Sequence, residues 1–330
     1  MTMHGWVCDS PTGAEHLRWK PLPSMAPGPG QVLVQVMAAS MNFPDLLTVR
    51  GKYQVKPALP FVPGSEYAAV VRSLGEGVDG LESGQPVAVI GASGGFATHA
   101  LAPAHACLPL PAQMPFEDGA AFAFTYGTSH HALLDRAQLK PGETVLVLGA
   151  AGGVGSAAIQ VAKAAGARVI AAASNRDKAR FCEALGADAS IDYGSQDIRE
   201  SLKGLTDGRG PDVVYDPVGG VLAEPVFRSI AWRGRYLVIG FAAGEIPALP
   251  WNLALLKGAA ILGVFWGDFV RRETQSFRRG LEQLMEWYGQ GVIKPAIDLK
   301  LPMRELPRAY EAMANRSVKG KIVLVNDAGL

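Results

Sequence analysis

The stretch "VLVLGAAGGVGSAAIQVAKAAGARVI" (145–170) constrains what this chain can fold into more than any other. A continuous apolar strand, "TVLVLGA" (144–150), runs into a glycine-rich turn, and a small-residue helix, "GSAAIQVAKAAGA" (155–167), follows at once. Ala150, Gly152 and Gly155 occupy the positions of a G-x-G-x-x-G fingerprint, with Ala in place of the first Gly. Short residues let backbone N–H groups approach a pyrophosphate, and the helix N-terminus adds partial positive charge. The last Gly lets the helix pack close to the strand. Ala150, Ala151, Gly152, Gly153, Val154 and Gly155 therefore form the candidate pyrophosphate-binding turn. A tight strand–helix turn without a ligand is the plainer alternative.

The alternation continues. "RVIAAA" (168–173) reads as a second strand and "DKARFCEALGA" (177–187) as a second helix. "ASIDY" (189–193), "DVVYDPVGG" (212–220) and "GRYLVIGF" (234–241) extend the series. Buried parallel strands alternating with helices indicate a doubly wound α/β sheet. The first third differs. "QVLVQVMAAS" (31–40), "EYAAVVRSLG" (66–75), "QPVAVIG" (85–91) and "GFATHALAPA" (95–104) are short β-type runs punctuated by Gly and Pro, as in a small barrel or sandwich. "PFEDGAAFAFTYGTSHHALLDRAQL" (115–139) reads as helical, and "KPG" (140–142) stops it. The end, "LPRAYEAMANRS" then "KGKIVLVND" (319–327), reads as helix and strand, expected to return to the first domain.

Where the second strand ends, an Asp or Glu usually holds the adenosine ribose. Here Ser174 stands at that place, and no acid follows until Asp177. A carboxylate would repel a 2′-phosphate; Ser174 does not. Asn175, Arg176 and Lys178 can donate hydrogen bonds or supply positive charge, each charge-assisted bond worth ~1.5–3 kcal/mol. NADPH is the expected cofactor. Arg176 and Lys178 also fit ordinary helix-surface charges.

A formal net charge of +1 provides no overall field toward nucleic acid or anionic lipid. No apolar run approaches the ~18 residues that span a bilayer. The opening lacks a positive region followed by an apolar core, so no secretory signal is expected. Cys8, Cys107 and Cys182 are too scattered for a disulfide framework or a metal knuckle, which fits a reducing cytoplasm.

"NFPDLLTVRGKY" (42–53), "PFVPGSEYAAVV" (60–71), "TYGTSHHAL" (125–133), "GAAGGVG" (149–155), "DVVYDPVGG" (212–220) and "GKIVL" (320–324) together carry a family resemblance. The chain resembles the medium-chain dehydrogenase/reductase superfamily, and within it the zinc-independent quinone oxidoreductases, the zeta-crystallin-like branch. The resemblance implies a GroES-like β-rich catalytic domain, 1–125 and 268–330, and a Rossmann NADPH-binding domain, 126–267, with the active site in the cleft between them. It also implies homodimers or homotetramers paired through Rossmann edge strands. "AILGVFWGDF" (260–269) would be that segment, although its aromatics equally fit a core strand. Tyr193 and Lys178 match positions that hold the 2′-phosphate in similar proteins. Gly240 and Phe241 match a loop near the nicotinamide ribose, and Phe265, Trp266 and Gly267 a segment that meets the carboxamide. Lys319 matches a residue that reaches back to the cofactor, but a solvated charge explains it as well.

Departures from the alcohol dehydrogenases bear on the chemistry. "AASMNFPD" has no Cys for a catalytic zinc, "PGSE" has Ser65 in place of His, and a four-Cys lobe is absent. Zinc needs soft or imidazole ligands in a tetrahedral cluster, so no metal is expected. His130 and His131, adjacent and on different helix faces, fit packing or surface hydrogen bonding. Without a Lewis acid a quinone or enone is an easier hydride acceptor than a simple ketone, because charge spreads onto a distant oxygen. The protein then positions the reactants and donates a hydrogen bond. Candidate donors are Asn42, Tyr53 and Thr128. Tyr53 matches a Tyr that related enoyl-thioester reductases are thought to use as proton donor; a stacking wall for the substrate is its other reading. Asn42 also fits a turn-forming amide, and Asp45 a helix cap.

The expected function is NADPH-dependent hydride transfer to a small quinone or enone, with no nucleic-acid or membrane partner. An enoyl-thioester reductase of the same superfamily is the near alternative. A structural or RNA-binding zeta-crystallin-like protein is the distant one. "VRRETQSFRRGLEQLMEWYGQG" (270–291) is read as one amphipathic helix with a solvated charged face.

Overall fold

The structure is a computed structural model and describes residues 2–91 and 93–326. The chain divides into two compact units. One takes the chain up to Phe124 together with the segment from Ile297 onward, and the other is Thr125–Ala296.

The first unit opens with strands β1 His4–Val7, β2 Arg18–Pro21, β3 Gln31–Met41, β4 Glu66–Leu74, β5 Pro86–Ile90, β6 His99–Pro103 and β7 Cys107–Pro109. Helix α1, Phe43–Thr48, follows β3 directly, and α2, Phe116–Ala120, closes this part. β3 organises the unit. Along one edge it pairs with β4. On the other, Gln31–Gln35 pair with β6 and Ala38–Met41 with the last strand of the chain. Two register shifts in the β3–β4 ladder bend β3. Val32, Val34, Val36, Tyr67, Val71 and Phe96 fill the core below it.

The helical stretch expected as one piece is broken. After α2 the chain turns at Ala121–Phe122, continues as α3 Ala123–His130, and ends in a π-helical turn, His131–Arg136. Parallel strands and helices then alternate: β8 Thr144–Leu148, α4 Gly153–Ala164, β9 Arg168–Ala173, α5 Arg176–Ala184, β10 Ala189–Asp192, α6 Ile198–Leu205, β11 Val213–Asp216, α7 Ala223–Ser229, β12 Arg235–Val238, α8 Asn252–Lys257 and β13 Ala260–Gly263. The sheet order β10-β9-β8-β11-β12-β13 is the doubly wound order of a Rossmann sheet. β8 is buried along its whole length, as a central strand covered on both faces must be. Leu146, Leu148, Ile170, Val214, Phe227 and Tyr236 form the core on one face. β13 is the edge strand, and three of its four residues are exposed, whereas Trp266 and Phe269 further along the same segment are buried, so 260–269 is edge strand at its start and core at these two aromatics.

Helix α4 begins at Gly153, two residues before the expected start, because Gly152 serves as its N-cap. The expected amphipathic helix of 270–291 is two: α9 Trp266–Arg272 and α10 Thr274–Gly289, interrupted at Glu273. The chain leaves the second unit after Ala296 rather than at the expected 267/268. Helix α10 packs on α3, where the His130 ring lies over Gly280 and His130 Nε2 is 2.8 Å from Gln283 Oε1. Gln160 of α4 then holds Lys294 through both its backbone groups, at 2.8 and 3.0 Å.

The chain returns as β14 Ile297–Pro302, α11 Leu306–Ala314 and β15 Lys321–Val325. β15 pairs antiparallel with β3, so the C-terminal strand does rejoin the first unit. Asp327, the last residue of the expected strand, lies outside the described residues. Among the described residues no helix is long and apolar enough to cross a membrane.

Candidate active site

In the second unit β8 and β11 lie side by side, and the strand order runs in opposite directions from them. Ligands of such sheets bind at this switch point, beyond the carboxyl ends of the strands. The glycine turn stands there. Gly149 adopts φ 55°, and a Cβ on it would come within 2.7 Å of Val218 Cγ2. The left-handed residue is thus Gly149, one place before the fingerprint, and this explains why Ala serves at position 150. Ala150 is fully buried, and its N–H donates to Ala172 O. A Cβ at Gly155 would fall 2.5 Å from Gly149 O and 2.7 Å from Ala150 Cα, so only glycine lets α4 approach β8 this closely. The first-turn N–H groups of α4 have no partner within the helix, which makes this helix N-terminus a candidate anion site.

A second turn, Pro217–Gly220, follows β11. The buried Asp216 shapes it. Its Oδ1 accepts from Val218 N (2.7 Å) and Gly219 N (2.9 Å), and its Oδ2 accepts from Tyr236 Oη (2.6 Å). Ala242 N and Ala243 N donate to Pro217 O and Val218 O, which brings Gly240 and Phe241 beside this turn. Phe241 Cδ1 would lie 2.8 Å from a Cβ on Gly219. Turns 149–155, 217–220 and 240–243 therefore meet at one rim.

The 2′-phosphate candidates gather further along the same edge. Ser174 follows β9 directly, and Tyr193 N donates to Ala173 O of that strand. Ser174, Asn175 and Arg176 are exposed and Lys178 half-buried. Asn175 is partly committed, since its Oδ1 caps α5 by accepting from Lys178 N at 2.9 Å. Asp192, on the neighbouring strand, turns its carboxylate onto Gly194 N (3.0 Å) and Ser195 Oγ (2.8 Å). Phe265 and Gly267, beyond β13, are exposed, but Trp266 is buried against Gly127 and Phe277. Lys319 is in the first unit, where its backbone N–H donates to Asp298 Oδ2. Thr128 is buried on α3.

In the first unit Asn42 and Tyr53 flank α1. Asn42, a candidate donor to the acceptor, is only 4% exposed, and its amide enters a buried polar cluster. Its Nδ2 donates to Glu66 Oε2 (3.0 Å), and its Oδ1 accepts from Lys321 Nζ (2.6 Å). Asp45 does cap α1: Oδ2 accepts from Asn42 N at 2.8 Å and Oδ1 from Ser65 N at 3.0 Å. Burial pushes the Asp45 carboxyl up to about 6, against hydrogen bonds from Asn42 and Ser65 and the Lys321 charge, which pull it down. Tyr53 is half-buried, and its phenol is held above the ordinary tyrosine value by burial and then by the Asp45 charge. It therefore stays protonated, the form a proton donor needs. His131 packs flat on Phe269 with Nδ1 2.7 Å from Asp135 Oδ2.

Sequence reading missed Gly149, Asp216, Glu66 and Lys321. Gly149 was visible as one more glycine in the turn. Nothing local marks Lys321 as buried, because its partners lie far away in the chain.

Two family models match. Residues 28–112 match the alcohol dehydrogenase GroES-like domain, and residues 153–286 match the zinc-binding dehydrogenase model. The residues present do not fit a zinc ion: among the described residues no three His, Cys, Asp or Glu side chains are grouped to hold a metal. The quinone oxidoreductase-like protein 2 homolog of Nematostella vectensis is 37% identical over 300 residues, covering 90% of this chain and 82% of that protein. The quinone oxidoreductase of Pseudomonas syringae superposes with a TM-score of 0.90 at 30% identity, covering 98% of this chain and 100% of that one. The quinone oxidoreductase of Thermus thermophilus, solved also with NADPH, gives 0.84 at 33% identity, covering 98% and 99%. With the sheet order, the glycine turn and these relatives in agreement, the chain is an oxidoreductase of the medium-chain dehydrogenase/reductase superfamily, in its quinone oxidoreductase branch.

Proposed function

We propose that this protein is an NADPH-dependent reductase that delivers hydride to quinones or related enones without a metal. The observation that carries the cofactor choice is Ser174. It follows β9 exposed, with Arg176 and Lys178 after it, and Asp192 on the neighbouring strand turns its carboxylate onto its own loop. The Thermus relative was solved with NADPH, which supports the same reading. Residues 149–155 would hold the pyrophosphate, Ser174, Arg176, Lys178 and Tyr193 the 2′-phosphate, and Gly240 and Phe241 the nicotinamide ribose. NADPH supplies the hydride. This chain's part is to orient the acceptor and meet the charge that develops on its oxygen. Tyr53 gives a proton to that oxygen from its phenol, and Asn42 donates an amide hydrogen bond.

NADPH oxidation with a quinone, a simple enone and crotonyl-CoA side by side, repeated with NADH, tests this. Fast NADPH-selective turnover of the quinone or enone is expected. Tyr53→Phe should lower kcat by about 10²-fold or more if the phenol is an acid; little change would make it a wall. A second reading is favoured by one observation: Arg50, Lys52 and Lys56 are all exposed around Tyr53, a basic setting for an anionic thioester arm. Turnover of crotonyl-CoA alone would select it. Tight NADPH binding with no turnover of any acceptor would point to a binding role.

The protein works as a homodimer paired through β13 in a reducing compartment. Beside this edge strand Trp251, Leu255, Leu256 and Trp232 are 86, 80, 66 and 69% exposed, an apolar margin suited to a second copy. The three cysteines are free and buried. Sedimentation of wild type against Leu255→Glu tests the dimer.

A further inference from the structure

Glu66 and Lys321 are 0% and 3% exposed. A buried ion pair is expensive, and an apolar pair of similar volume often stabilises a fold as well or better. Stability alone is therefore a weak reason for Lys321. Its contacts suggest another. Lys321 Nζ donates to Asn42 Oδ1 at 2.6 Å, to Met41 O at 3.2 Å and to Glu66 Oε2 at 3.3 Å. The shortest contact of the ammonium is the amide oxygen, not the carboxylate. Glu66 is occupied elsewhere: Oε2 also accepts from Ser40 Oγ (2.7 Å) and Asn42 Nδ2 (3.0 Å), and Oε1 accepts from Phe124 N (2.8 Å).

The Asn42 carboxamide is thus clamped at both ends. A cation on Oδ1 and a carboxylate on one Nδ2 hydrogen fix which way the amide faces. The second Nδ2 hydrogen has no partner among the described residues. A cation on the carbonyl oxygen draws electron density from the amide nitrogen, and hydrogen bonds in such a chain strengthen one another.

We propose that Lys321 is a positioning residue for the reduction: it locks the Asn42 carboxamide oxygen-inward and strengthens its remaining N–H as a donor to the acceptor oxygen that takes up charge. This rests on the reading of Asn42 as that donor. Glu66 is the counter-charge that keeps the ammonium in place.

The test is a double-mutant cycle on kcat with Asn42→Ala, Lys321→Met and the two combined, using whichever of the quinone, enone and thioester the wild type reduces fastest. NADPH affinity and thermal midpoint are measured for each. Lys321→Met should lower kcat by about 10²-fold, the size of a lost oxyanion donor, and leave the NADPH Kd within about twofold. In the Asn42→Ala background the same change should have almost no effect, because Lys321 acts through Asn42. Equal losses in both backgrounds, or no loss, would overturn the proposal while leaving Asn42 as a donor. If Asn42→Ala itself keeps full kcat, the donor reading falls and the proposal with it. Should Lys321→Met not fold, Lys321→Gln keeps one N–H for Asn42 Oδ1 without the charge. A kcat loss with Gln that vanishes in the Asn42→Ala background supports the proposal. Wild-type kcat with Gln overturns the role of the charge.

Discussion

The glycine turn of the second unit and the polar cluster of the first reach rigidity by opposite means. The turn is made of backbone. Gly149 and Gly155 remove side chains so that a strand and a helix can come together, and Gly152 caps the helix. The cluster is made of side chains. Asn42, Asp45, Glu66 and Lys321 are buried, and each is held by hydrogen bonds from parts of the chain far apart in sequence. One site works by having nothing in the way, the other by having every charge answered. Their responses to substitution should differ accordingly.

The largest difference should come from Gly155→Val. Its branched side chain would meet the backbone of Gly149 and Ala150, which cannot rotate away. The helix must shift, and NADPH titration by fluorescence should show no saturable binding. Binding of ordinary affinity would break the close-approach account. In the cluster, Glu66→Leu should destabilise the protein by about 3–5 kcal/mol, because it leaves the Lys321 ammonium buried without the carboxylate it is hydrogen-bonded to. Adding Lys321→Met should recover most of that loss in urea unfolding, whereas no second substitution of that kind is available to Gly155→Val. A double variant as weak as the single would mean that the pair is not the source of the cost.

Ser174→Asp is a smaller perturbation at the rim. A carboxylate there repels a 2′-phosphate and accepts from ribose hydroxyls. The ratio of NADPH to NADH affinity should fall by about 10–100-fold, the value of one or two charge-assisted bonds, with little change in thermal midpoint. An unchanged ratio would assign the choice to Arg176, Lys178 and Tyr193 alone.

The smallest expected effect is a pH dependence in the cluster. Burial holds the Asp45 carboxyl at about 6 in the folded protein, above its ordinary value of 3.8. The folded state then binds this proton more tightly than the unfolded state. The resulting stabilisation is fully present below the ordinary value and is lost as pH rises through about 6. Wild type should gain stability relative to Asp45→Asn as pH falls from 7.5 to 5. A gap that stays constant over that range would show that Asp45 is ionised throughout.

These contrasts also explain what was legible beforehand. The Rossmann unit could be read because its signals are local: an apolar strand, a glycine turn and a helix follow one another in a single run of residues. The edge position of 260–263 was implied only by the family resemblance, with a core strand as an equal alternative, since periodicity alone does not tell a strand covered on both sides from one at a margin; only the neighbours in the sheet do. The commitment of Asn175 to the cap of α5 was hidden for a related reason. An Asn before a helix can serve the backbone or a ligand, and the fold of the turn decides. Lys319 and Lys321 are separated by a single residue, and the one singled out from the sequence was the half-buried Lys319.

By itself the sequence determined the two-part architecture, the parallel sheet, the glycine turn between β8 and α4 and the acid-free end of β9, because each depends on residues close together along the chain. Tertiary structure alone decided that Gly149 bears the left-handed turn, that α10 stays with the second unit, and that the Asn42 carboxamide oxygen faces inward. Each of these depends on atoms brought together across long stretches of chain: Val218 against Gly149, His130 against Gly280, and Glu66 and Lys321 around Asn42. A buried charge is tolerated only where its partner is, and the position of that partner is a property of the fold rather than of the neighbouring residues.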